Sequence, residues 1–235
     1  MTETPDVASS TDGYAERFAG PAGEYLLAVQ TNAIRQLSRD ARGGTVLDVG
    51  GGHAQLAGLF LELGCGVTIL GSDPSCFVRP VRYFDHTVKC VEGDLLDPPF
   101  PDRSFDLVVA IRMLAHLSAA RRFVQGLCRL ARRAVIVDYP DVRSFNALVP
   151  VLYGAKEKIE GNTRTYRSYR RRDLLEWFRA EGFGHPRIVG QFFWPMVLHR
   201  KLARPALSRG LERLPRALLL DRLFGSPVLL RVDRQ

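Results

Sequence analysis

The chain has 235 residues, of which 46% are hydrophobic and 25% charged, and a formal net charge of +8. That composition supplies one globular domain with an insertion, or two small domains, and excludes collagenous and wholly disordered chains. The longest apolar stretches run to about ten residues, against roughly 20 for a membrane span.

Residues 1–12 are polar and read as a disordered tail. From 14 to 39, Leu26, Leu27, Val29, Ile34 and Leu37 recur at helical spacing, broken at Gly20-Pro21. Residues 1–43 are therefore expected as a tail and capping helices ahead of a domain over 44–235. Within it, β-branched runs at 45–49, 67–70, 87–91, 105–111 and 134–138 alternate with helical patterns at 54–63 and 119–132. Continuous apolar strands separated by helices predict an α/β, doubly wound parallel sheet. A Tyr- and Arg-rich segment follows over 139–172, then a helix at 173–181 closed by Gly182 and a strand at 187–193. A basic insertion over 195–224 reads as two short helices, with Leu207, Leu211, Leu214 and Leu218 at helical spacing and Pro215 opening the second. A last strand is expected at 227–232.

Charge is uneven. Residues 200–235 carry nine Lys/Arg against three acids, a patch for an anionic lipid, an acidic substrate or nucleic acid, or else a solvated surface. Cys65, Cys76, Cys90 and Cys128 form no C-x-x-C pair, so neither zinc site nor disulfide framework is expected, and no metal. The opening Met1-Thr-Glu-Thr-Pro-Asp lacks the basic and apolar regions of a secretory signal. A reduced cytoplasm is the expected address.

The first predicted strand ends in Asp48-Val-Gly50-Gly51-Gly52-His53. Glycine there lets a ligand approach the backbone, and the following helix offers N–H groups to polar atoms. The dinucleotide pattern G-x-G-x-x-G would need its third glycine at Gln55 and fails. The turn instead resembles the first motif of class I S-adenosylmethionine-dependent methyltransferases. Gly93-Asp94-Leu95-Leu96, the run Phe100 to Ala110 with Leu114-Ala115-His116-Leu117, and Asp173 to Phe183 resemble further segments of that family in its order, covering roughly 44–193. The small-molecule, quinone-biosynthesis branch is the nearest likeness.

The resemblance implies a Rossmann-like fold with seven strands, mostly parallel, the last antiparallel, and the helical insertion before it. It implies S-adenosylmethionine as cofactor, S-adenosylhomocysteine as product, and these roles. Gly50, Gly51 and Gly52 pass under the methionine part, Asp48 places its amino group, Asp94 and Leu95 meet the adenine, and Ala110 and Ile111 line the methionine end. His53 beside the turn touches cofactor or solvent. Two positions depart from the pattern: Ala54 replaces a third glycine, and Gly71 stands where the family's ribose-binding acid closes the second strand. Asp73 or Ser72 is then the substitute, or Asp73 merely caps a turn before Pro74. Asp97-Pro98-Pro99-Phe100 looks like a nitrogen-methylation motif but precedes the fourth strand, which argues against a nucleobase N-methyltransferase.

Methyl transfer asks a protein to position a nucleophile and exclude water. His116, just past the fourth strand, is the candidate base for a hydroxyl, or a packed histidine orienting the next helix. Arg112 is the candidate for an acidic substrate group, or a rim residue. Tyr139, Tyr166 and Tyr169, with Tyr153, Lys156 and Lys158, would sandwich a flat substrate or form a satellite core. Tyr14, Phe18 and Tyr25 are expected to help cover the cofactor. The acceptor is expected to be a small molecule, with oxygen of a natural-product-like or quinone-like compound favoured. Carbon methylation of a quinone or lipid, RNA methylation, and a non-catalytic binding protein are the alternatives. RNA fits least, because the basic insertion lacks interleaved aromatics. The insertion is read as a lid or access wall with peripheral membrane contact, in a monomer or homodimer.

Overall fold

A computed structural model describes residues 3–144 and 166–235. Seven strands form one sheet in the order β3-β2-β1-β4-β5-β7-β6. They are β1 (Thr45–Val49), β2 (Gly66–Gly71), β3 (Lys89–Glu92), β4 (Phe105–Ala110), β5 (Ala131–Tyr139), β6 (Phe183–Gly190) and β7 (Val228–Arg234). β1 pairs in parallel with β2 and β4, β2 with β3, and β4 with β5. β7 lies antiparallel to both β5 and β6, so β6 runs in the same direction as the other five.

The central strands are apolar on both faces because both faces are covered. One core joins Leu47, Val108, Val135 and Leu230 to Phe123, Val124 and Leu127 of α6 (Ala120–Leu130) and to Leu174 and Phe178 of α7 (Arg171–Ala180). The other joins Val46, Ile69, Leu107 and Ile136 to Ile34 and Leu37 of α3 (Gly20–Leu37) and to Leu56 and Phe60 of α4 (Gln55–Glu62). Gly182, at φ 77, lets the chain leave α7 for β6.

The expected polar tail is folded instead. It forms α1 (Pro5–Ser9) and α2 (Asp12–Ala15), and Asp6, Ser9 and Ser10 are buried. Strand β5 begins at Ala131, earlier than expected, and shortens α6. Arg132 and Arg133 point outward there, Arg132 to Asp106 and Arg133 to Asp40. Strand β6 begins at Phe183, whose ring is fully buried.

The insertion contains three helices rather than two: α8 (Met196–Leu202), α9 (Pro205–Ala217) and α10 (Leu220–Phe224). Pro205, not Pro215, opens α9, where its missing N–H costs nothing. Pro215 lies within α9 on the buried face with Ser208 and Glu212. Among the described residues, no helix is long and apolar enough to cross a membrane.

Candidate active site at the carboxyl edge of the sheet

Strand β1 delivers buried Asp48 and Val49 to the sheet's carboxyl edge, where the chain reverses. Gly50 takes φ 73, a single 3-10 turn spans Gly51–His53, and Ala54 takes φ 66 before α4 begins. The Gly50 N–H donates to the Leu70 carbonyl at 2.8 Å, tying the turn to β2. A methyl group on Gly51 would overlap the Asp48 carboxyl, and one on Gly50 would overlap the Met113 thioether. The turn therefore requires glycine for both backbone angle and space.

Charge gathers behind this turn. Arg112, at φ 64, donates its backbone N–H to Asp138 Oδ1 at 2.6 Å. Its guanidinium donates to Gln30 Oε1 at 2.7 Å and to Gln55 Oε1, and stacks 4.5 Å from the Phe18 ring centroid. Burial pushes the Asp48 carboxyl up to about 7, opposed by the Arg112 charge. Burial likewise pushes Asp138 up to about 6, opposed by the Arg112 N–H and charge. His53 is pushed down to about 3 by burial, reinforced by Arg112 and Arg79. It is a neutral imidazole packed edge-on against Tyr14 and Phe18, with neither ring nitrogen hydrogen-bonded among the described residues. Unpaired buried nitrogens beside a glycine turn are what a polar ligand would satisfy.

At the end of β2 the sequence offers Gly71, and a side chain there would collide with Phe77 and Cys76. A carboxylate nevertheless reaches this point from far away in the chain. Fully buried Asp6 of α1 accepts the Ser72 N–H at 2.7 Å and the Ser72 hydroxyl at 2.5 Å. Ser10, one turn on, packs against Gly52. Glu3 accepts the Ser118 and Ala119 N–H groups at 2.7 and 2.8 Å ahead of α6. Asp73 is exposed and its carboxyl accepts the Ser75 N–H at 2.8 Å, the capping geometry. Asp94 accepts the Leu96 N–H at 2.9 Å through Oδ1 and is half-buried, with Leu95 in the core beneath it. Ile111 packs on the opposite core.

On the acceptor side, half-buried His116 sits in the 3-10 turn Leu114–His116, its ring 6.0 Å from that of exposed Tyr166. Tyr139 and Tyr169 belong to the core. The Tyr139 hydroxyl accepts from Arg171 at 3.3 Å, and the Tyr169 hydroxyl donates to the Leu114 carbonyl at 2.8 Å. These two expected substrate contacts are buried and hydrogen-bonded, because the strand end and the 169 bridge pack onto α7. Tyr153, Lys156 and Lys158 lie outside the described residues. Across the edge, Arg200 of α8 approaches the Phe18 ring at 5.9 Å. Two surface clefts of about 440 Å³ lie elsewhere, one lined by Arg103, Gln125 and Arg129, the other by Asp40, Arg133 and Arg231.

The structure thus brings Asp48, Gly50, Gly51, Gly52, His53, Ser72, Arg112 and Ile111 to one edge and leaves Asp73 outside the cluster. Sequence reasoning missed Asp6, Gln30, Gln55, Met113 and Asp138. A signal existed only for Asp138, an acid closing an apolar strand. Asp6 lies in a polar stretch with no periodicity to mark it.

Residues 47–137 match the family model described as "Methyltransferase domain". Demethylmenaquinone methyltransferase of Tropheryma whipplei is 26% identical over 185 residues, 69% of this chain and 76% of that protein. A Thermotoga maritima protein described as a SAM-dependent methyltransferase, possible histamine N-methyltransferase, superposes with TM-score 0.63 at 17% identity, over 94% of this chain and 92% of its own. Magnesium protoporphyrin IX methyltransferase of Synechocystis, solved with bound SAH, gives TM-score 0.62 at 14% identity, over 97% and 96%.

Proposed function

We propose that this chain, a class I S-adenosylmethionine-dependent methyltransferase, methylates a ring hydroxyl of a small quinone-like molecule. The likeness to a demethylmenaquinone methyltransferase over 69% of the chain carries the choice of acceptor class. The donor set at the carboxyl edge suits the cofactor. Asp48 offers a buried carboxyl for an ammonium group, the two His53 nitrogens lack partners among the described residues and are open to polar atoms, and Asp94 Oδ2 is left for an amino group. Asp6, from the N-terminal segment, stands in for the acid that Gly71 cannot supply by holding the Ser72 N–H and hydroxyl, which orients Ser72 Oγ to accept from a ribose hydroxyl. The cofactor supplies a methyl group on a positively charged sulfur. Arg112 holds Gln30, Gln55 and Asp138 in one network and so fixes the wall against which the acceptor is oriented. His116, with Tyr166 against its ring, receives the hydroxyl proton from the acceptor side.

Calorimetry with S-adenosylhomocysteine, followed by methyl transfer to a panel of hydroquinones and catechols, tests this reading. Micromolar binding and gain of one methyl on oxygen are expected. Methyl found on a ring carbon would move the assignment to carbon methylation. Absence of binding by the intact chain would overturn the cofactor assignments.

A further inference from the structure

Helix α9 is built the opposite way round from an ordinary surface helix. Its buried face is Ser208, Glu212 and Pro215, while Leu207, Leu214 and Leu218 at the helix end are 50%, 68% and 59% exposed. Glu212 fixes this orientation. Its carboxylate accepts the Phe193 and Trp194 N–H groups at 3.0 and 3.1 Å and meets His199 Nε2 of α8 at 2.9 Å, with both side chains fully buried. With Glu212 held inside, the leucine stripe must face out. At about 100° per residue it lies opposite the stripe Arg209, Arg213 and Arg216. Val197 of α8, Leu219 between α9 and α10, and Leu223 and Phe224 of α10 are exposed as well. Over 195–224, Arg200, Lys201, Arg204, Arg209, Arg213, Arg216 and Arg222 are all exposed, whereas Glu212 is buried and Asp221 partly so. An apolar stripe on a helix with cations and no exposed acid has the make-up of an interfacial helix and complements an anionic lipid surface.

We propose that α8–α10 form a docking surface for an anionic membrane, with the α9 leucines entering the headgroup boundary. The insertion leaves from the carboxyl end of β6, and its Arg200 lies against Phe18, whose ring also stacks on Arg112. Docking therefore holds the candidate active site at the lipid surface, where an apolar acceptor partitions. The surface stands independently of the acceptor's identity.

The test is co-sedimentation of the full chain with phosphatidylcholine vesicles, with and without phosphatidylglycerol. Binding to the phosphatidylglycerol vesicles that weakens as salt rises is expected. The double variant Leu214→Glu/Leu218→Glu and the double variant Arg209→Glu/Arg213→Glu should each lose at least about tenfold in vesicle affinity. Both change exposed residues, so unaltered thermal midpoints and cofactor binding confirm that the fold persists. Equal binding to neutral vesicles, no binding to either, or leucine variants that bind as well as the parent would overturn the proposal. So would a stable dimer in light scattering that Leu214→Glu dissociates, because the stripe would then be an interface between two copies of this chain.

Discussion

The two ends of the sheet carry buried charge in opposite ways. At the amino-end side of β1, with the chain terminus beside it, Arg231 is 3% exposed and saturated: it donates to Asp40 at 2.5 and 2.6 Å, to Asp233 at 2.7 and 2.8 Å, and to the Leu37 carbonyl. The Arg231 hydrogen bond holds Asp40 below the usual carboxylate range, and Thr45 and Asp106 exchange hydrogen bonds beside it. At the carboxyl edge, Asp48 and Asp138 are raised by burial, His53 has unpaired nitrogens, and Arg112 and Ala54 hold positive φ. A complete network stabilises the fold, and an incomplete one is left for a ligand to finish.

Breaking the complete network should have the largest effect on stability. Arg231→Ala is expected to cost about 2 kcal/mol in chemical denaturation, because it leaves the Leu37 carbonyl unpaired and leaves Asp40 and Asp233 with only Arg133 and Arg187. Residual folded protein should keep its affinity for S-adenosylhomocysteine, and a selective loss of that affinity would erase the contrast between the two ends. At the carboxyl edge, Gly51→Ala forces a methyl into the Asp48 carboxyl. Overpacking there costs about 1–3 kcal/mol of folding stability, and the displaced Asp48 carboxyl should appear in calorimetry as weaker S-adenosylhomocysteine binding.

Asp6→Asn sharpens the comparison further. It keeps the shape of α1 but weakens the charge on Ser72, so cofactor affinity should fall severalfold with a small change in thermal midpoint. A rise in affinity would make Asp6 a plug rather than a ligand.

A pH dependence of stability follows from the same buried groups. Asp48 sits at about 7 in the folded chain, against about 3.9 unfolded. The folded state therefore holds the extra proton between those values, and stability falls as pH rises through them. Asp138, at about 6, acts in the same direction. His53, at about 3, acts oppositely, because its unfolded form takes up a proton that the buried ring refuses. Comparing Asp48→Asn with the parent isolates Asp48. The variant's thermal midpoint should exceed the parent's near pH 8, and the gap should close near pH 4.

Much of the fold was legible because local rules and tertiary packing agree. The runs at 45–49 and 105–111 are apolar on both faces, and a strand buried on both faces must be. Asp48-x-Gly50-x-Gly52 was legible because no other residue type fits that turn. The site was only half legible. Asp73, two residues past the position of the family's ribose-binding acid, caps its own turn, while the carboxylate near Gly71 comes from Asp6. Tyr139 and Tyr169 look alike in sequence to Tyr166, yet α7 covers the first two and leaves the third exposed.

By itself the sequence determined the succession of strands, the glycine turn and the positive charge of the insertion, since each is written in neighbouring residues. The tertiary structure decided which carboxylate reaches Ser72 and which tyrosines pack inside. It also decided that α9 turns its leucines outward. Those outcomes depend on partners distant in the chain, as with Glu212 against His199 and Asp6 against Ser72, and on which face another element reaches first.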